Sequence, residues 1–201
     1  MTTANAALSG LYSVPWQRLT HAHGAATDVP ELITNLAQPD QKLRDESWHE
    51  LYGNLWHQGT VYEATVYAVP FFIRLLEVES LPQKHRILLY LADLFCGRSY
   101  LDVHMSISNT EVSKPDFRPR LEAELANVNA TKTAVRAGLE TYVRQLHRPE
   151  AEPKIAAAYL LGLIGDRADD GQRDLSIEEE IAKCCEELTP NGSGSRPSVG
   201  R

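Results

Sequence analysis

Long apolar runs, paired cysteines and basic clusters are all scarce in this chain, and each scarcity removes a class of protein. No window approaches the roughly 18 uninterrupted apolar residues of a membrane helix, so no membrane-spanning segment is expected. The first ten residues contain neither Lys nor Arg and no apolar run, so a secretory signal is not expected there and the cytoplasm is the expected location. Three cysteines, Cys96, Cys184 and Cys185, make neither a disulfide framework nor a Cys-x-x-Cys metal spacing, which leaves reduced, structural thiols. Twenty Lys and Arg residues stand against 27 Asp and Glu, a formal charge of −7, and the basic residues are scattered. That balance repels a phosphate backbone, and nucleic acid is not expected as a partner. Neither a Gly-x-Ser-x-Gly elbow nor a Gly-rich phosphate loop occurs, and no cysteine sits in a recognisable catalytic motif. No catalytic residue, metal-ligand set or cofactor is therefore assigned.

What is present is the composition of a globular protein, 43% apolar and 23% charged over 201 residues, enough for one domain with a buried core. That domain is expected over residues 1–189. Residues 190–201, rich in Gly, Ser and Pro, are expected to form a disordered tail. Pro15 suits the first turn of a short N-terminal helix with Trp16 and Leu19 on one face, and residues 22–27 read as a turn. Asp28 is a good N-cap for a helix running to about Gln38, and Pro39-Asp40 opens another that ends near Trp56. In that second helix Leu43, Ser47, Trp48, Leu51, Tyr52 and Leu55 recur at three and four residues.

An internal repeat extends this pattern. Sliding the sequence by 40 residues places Val29-Pro30 on Val69-Pro70, Leu36 on Leu76, Trp48 on Leu88 and Leu55 on Phe95. Val69-Pro70 is read accordingly as a helix opening. Sliding it by 110 places Ile33 on Val143, Leu36 on Leu146, Pro39 on Pro149 and Leu51 on Leu161. Three copies of one helical hairpin predict stacked units, none of which buries its apolar face alone. Residues 97–129 are then an insertion, a long loop over 99–119 followed by a helical stretch from 120. Residues 176–188 carry Ile177, Ile181, Cys184, Cys185 and Leu188 on one side and glutamates elsewhere, the pattern of a capping helix.

In the third copy, the run Glu152-Pro153-Lys154-Ile155-Ala156-Ala157-Ala158-Tyr159-Leu160-Leu161-Gly162-Leu163-Ile164-Gly165-Asp166 resembles the second helix of a HEAT repeat. In that family small alanines permit close helix packing, and a leucine-glycine ending with an aspartate closes the unit. The first two copies share the Val-Pro opening and the apolar spacing but lack the alanines. The resemblance covers residues 28–96 and 135–166. It implies an all-α class and a short α-solenoid of about three HEAT-like (armadillo-like) hairpins with capping helices. It also implies a non-catalytic scaffold that recognises a protein partner, for which an acidic chain suits a basic one such as a toxin that it neutralises. The alternative is an enzyme of the HEAT-like DNA glycosylase type, in which Trp56, Tyr62 and Glu63 would mimic the aromatic and carboxylate set. The charge and the absence of Lys or Arg beside them count against it.

Trp48 and Tyr52 share the apolar face of their helix and read as core. Glu46, His49, Glu50, Gly53 and His57 fall on the other side. Gly53 costs about 1 kcal/mol relative to Ala in mid-helix. It reads first as a close-packing glycine, with room for a partner as the alternative. Glu46 and His49 have the Glu-x-x-His spacing of carboxylate metal sites, but those need a second such pair, which is missing. His21-Ala22-His23 lacks a third ligand at a telling spacing. The candidate partner-binding residues are Glu46, His49, Trp56, His57, Gln58, Tyr62, Glu63 and Tyr67, aromatic beside polar at a turn between helical units.

Overall fold

The computed structural model describes residues 3–104 and 114–166. Of these, 69% are helical and 6% lie in strands, which places the protein in the all-α class. Helix α1 (Ala4–Ala7) and two short 3-10 turns, Leu11–Ser13 and Trp16–Arg18, lead into a hairpin of β1 (Thr20–His21) and β2 (Gly24–Ala25). Helices α2 (Val29–Asn35) and α3 (Gln41–Asn54) follow. A second hairpin, β3 (Trp56–His57) with β4 (Thr60–Val61), then leads into α4 (Glu63–Leu76) and α5 (Lys84–Cys96). Beyond them lie α6 (Tyr100–His104), α7 (Phe117–Arg136), α8 (Leu139–Leu146) and α9 (Ala151–Asp166).

Local chemistry sets most of these boundaries. The Asp40 side chain accepts hydrogen bonds from the Lys42 and Leu43 amides at 2.9 and 3.4 Å and so caps α3. Helix α4 starts where the Tyr62 amide donates to Thr65 Oγ1 at 3.1 Å, and that hydroxyl donates in turn to the Leu55 carbonyl at 2.8 Å. One side chain thereby ties the end of α3 to the start of α4. The buried Lys84 ammonium closes α4 from the other end, donating to the Leu76 carbonyl at 2.9 Å. Burial first, and then the Arg148 charge, depress its pKa.

One apolar core runs through the fold, from Leu11, Trp16 and Ile33 by way of Phe72, Leu75 and Leu91 to Tyr142 and Leu160. Helices pack in sequence order, α2 on α3 and α4 on α5, while α9 packs on both α5 and α8. The long α7 lies against α4 and α5.

Several expectations are revised. The turn at 22–27 is part of a hairpin, in which Thr20 faces Ala25 and His21 faces Gly24. Pro70 does not open a helix. The exposed Pro70 sits inside a continuous α4, where it has no amide to donate to the Val66 carbonyl one turn back. In the insertion, residues 100–104 are helical, and α7 begins at Phe117, so Pro119 occupies its first turn. The expected capping helix at 176–188 and the tail at 190–201 lie outside the described residues. No helix among the described residues is long and apolar enough to cross a membrane.

Candidate functional site

The stretch from Trp56 to Thr65 is a two-residue hairpin followed by the first turn of α4. Trp56 faces Val61 and His57 faces Thr60. The turn residues Gln58 and Gly59 have φ of +51° and +86°, the left-handed pair that twists a tight hairpin correctly. Thr60 is buried, and its hydroxyl donates to the His57 carbonyl at 2.7 Å and lies 2.8 Å from the Tyr62 hydroxyl. Residue 98 adds a third piece of backbone: the Val61 amide donates to the Arg98 carbonyl at 3.0 Å, and the Arg98 amide to the Gly59 carbonyl at 2.9 Å. Gly97 permits this approach, since a Cβ there would come 2.4 Å from Val61 Cγ1.

The first hairpin stands beside the second. His23 and His57 meet edge to face with ring centroids 5.3 Å apart. The buried His21 accepts the His23 amide at Nδ1 at 3.0 Å, which leaves Nε2 to carry the proton and donate to Asp28 Oδ1 at 3.0 Å. Asp28 Oδ2 accepts the Asn54 side-chain amide at 2.6 Å, and the Asn54 carbonyl accepts the Ala22 amide at 3.1 Å. Asp28 therefore serves as a tertiary hub, and its carboxylate makes no capping bond to α2. Among the described residues, no group of three or more His, Cys, Asp or Glu side chains is placed to hold a metal ion.

Helix α3 links the hairpins to an acidic surface. Glu46, His49 and Glu50 are exposed on its outer side and, with Gln41, Lys42 and Asp45, line an open depression of about 600 Å³. Glu46 lies 3.6 Å from Lys42, and Asp45 pairs with Arg86. Both pairs are solvent-accessible, so they hold these acids only weakly, by about 0–1 kcal/mol each. Further along the same side is Gly53, around which a Cβ would meet no described atom within 4 Å. The close-packing explanation of this glycine therefore has no neighbouring helix behind it among the described residues.

The inner side of α3 is built differently. Trp48 is 2% exposed and packs edge to face on Tyr90, with centroids 5.4 Å apart, while Arg86 lies 5.2 Å above its ring. Tyr52 donates to Asp93 Oδ2 at 2.9 Å, Trp56 donates its indole N–H to the Asp93 carbonyl at 3.0 Å, and Tyr90 donates to the Leu51 carbonyl at 2.6 Å. Burial pushes the Asp93 carboxyl above its ordinary range, and the Tyr52 bond only partly offsets this. Burial also raises the Tyr52 and Tyr90 hydroxyls, which keeps them protonated and donating.

The eight candidate partner-binding residues thus divide. Glu46, His49, Gln58 and Tyr67 are exposed. Trp56, His57, Tyr62 and Glu63 are half-buried, with Trp56 and Tyr62 held in the internal hydrogen bonds described above. The structure adds His23, which sequence reasoning considered only as a metal ligand. The available signal was that His21 and His57 precede similar two-residue turns.

No protein-family model matches this chain, and neither a curated protein nor a solved structure matches it.

Proposed function

We propose that the chain is a short HEAT-like α-solenoid acting as a scaffold for a basic protein partner. Its binding surface is the outer side of α3 together with the turn of the second hairpin. The observation that carries this reading is Gly53. Gly53 lies in the last turn of α3, where a glycine still costs up to about 1 kcal/mol relative to Ala, and no described neighbour needs the space it leaves. A surface kept low for an incoming partner accounts for it. The flanking acids Asp45, Glu46 and Glu50 supply charge that speeds encounter with a cationic protein and rejects acidic ones. Gln58 and Tyr67 supply polar and aromatic contacts at the exposed edge. A basic toxin held inactive is one partner of this kind, in a cytoplasmic setting where Cys96 stays reduced.

The test is affinity capture from the native source, with the wild type and a Glu46→Lys/Glu50→Lys variant as parallel baits. Wild type should retain a basic protein in stoichiometric amount, released at high salt as screening shortens the reach of the charges. The variant should retain far less. Recovery of no stoichiometric protein, or equal recovery on both baits, contradicts the reading. Retention of the wild type on heparin at low salt would favour a nucleic-acid role instead.

A further inference from the structure

Helices α5 and α9 pack together and leave an apolar groove of about 450 Å³ on their outer side, lined chiefly by Leu89, Ile155, Ala156 and Tyr159. Leu89, Ile155 and Tyr159 are 39%, 57% and 54% exposed, an unusual concentration of large apolar groups at one place. The His85 ring and the Glu152 carboxylate, 3.2 Å apart, close one end. Toward the other end, Gly162 continues the Ile155 and Tyr159 stripe one turn on, and a Cβ there would meet no described atom within 4 Å. The surface is therefore apolar along its middle and low at the Gly162 end, which suits a helix laid along it.

We propose that this groove is the docking site of residues 176–188 of the same chain. Ile177, Ile181, Cys184 and Leu188 fall within a stripe roughly 60° wide at about 100° per residue, flanked by Cys185. Glu179, Glu180, Glu186 and Glu187 lie outside it. Residues 167–175 separate this segment from the end of α9 and reach at most about 30 Å when extended. The groove lies within about 17 Å of Asp166 along the helix axis, so the segment can return antiparallel to α9. A tethered occupant also outcompetes a separate one. The linker gives it an effective concentration in the millimolar range, whereas three part-exposed side chains fall well short of the ~800 Å² per partner that a stable interface buries. This docking is independent of the binding role assigned to α3.

Alkylation of Cys184 by iodoacetamide in the full chain tests the proposal, with Cys185→Ser present and the site read by peptide mass. A docked stripe holds Cys184 inward, so its rate in native protein should be at least ~10-fold below that in denaturant. Introducing Tyr159→Asp, at a position exposed enough to leave the core intact, should restore the fast rate while the unfolding transition stays cooperative. Native alkylation as fast as in denaturant overturns the proposal. So does protection that Tyr159→Asp and Leu89→Asp both leave unchanged, which would seat the segment elsewhere. Protection that grows with protein concentration would mean that a second copy fills the groove, and would overturn it equally.

Discussion

Helix α3 buries Ser47, Trp48 and Leu51, with Trp48 against the aromatic cluster around Tyr90, and carries Glu46, His49, Glu50 and the part-exposed Gly53 on its outer side. On the first side every ring touches another ring, and the polar tips of Tyr52, Trp56 and Tyr90 end on Asp93 or on a backbone carbonyl. On the second side charges are paired only loosely, and a glycine stands where alanine would serve the helix better. The contrast separates residues retained by folding from residues that folding leaves unexplained. Only the second set is informative about partners.

Substitutions on the two sides should therefore behave differently. The largest effect is expected for Trp48→Ala, which removes a buried indole from contact with Tyr52, Tyr90 and Arg86 and should lower the unfolding free energy by about 3–5 kcal/mol in denaturant titration. Tyr90→Phe keeps the ring and deletes one donor to the Leu51 carbonyl, which still accepts the Leu55 amide. A loss of about 1 kcal/mol is expected in the same measurement.

Asp93 adds a pH signature to the inner side. Its carboxyl binds its proton more tightly in the folded chain than at the ordinary value of 3.8. The stabilisation from that extra affinity is present below 3.8 and is lost as pH rises through the folded value. Asp93→Asn should therefore become more stable relative to wild type on going from pH 4 to pH 7. A constant difference would mean that the carboxylate is well solvated. Glu77 works in the opposite sense. Burial raises its carboxyl, but the Thr141 hydroxyl and the Arg144 guanidinium outweigh burial and lower it, so its contribution is lost as pH falls.

On the outer side, His57→Ala should cost under about 1 kcal/mol, because a half-buried ring against His23 gives up edge contact and little else. Partner capture should fall while the melting temperature hardly moves. A loss as large as that of Trp48→Ala would make the paired hairpins a structural joint and would move the binding surface away from them.

The helices were legible in the sequence because apolar residues recur at helical spacing, and Asp40 caps α3 as its side-chain chemistry suggests. The hairpins were not. Each strand is two residues long, too short to show alternation, and the Gln58-Gly59 turn resembles a helix terminator unless its neighbours are known. Pro70 resembles a helix opening because nothing in the local pattern shows that its position falls on an exposed face of a continuous helix. Asp28 stands at the N-cap position of α2 as its sequence context predicts, but its carboxylate is held by two partners outside the helix, His21 and Asn54, and not by the α2 amides. The candidate site was legible as a side of α3, since helical register alone separates Glu46, His49 and Gly53 from Trp48. Which of its aromatics are tied down internally depended on tertiary hydrogen bonds that spacing does not encode.

The unfolding free energy of Gly53→Ala tests most directly the claim that the outer side of α3 is left open by the fold. Its backbone is not in the left-handed region, and the added methyl group meets no described atom. Denaturant titration should show the variant about 0.5–1 kcal/mol more stable than wild type, the helix-propensity gain of Ala over Gly with no packing penalty against it. A variant less stable than wild type would mean that another part of the chain packs against Gly53, and that the surface assigned to a partner is already occupied.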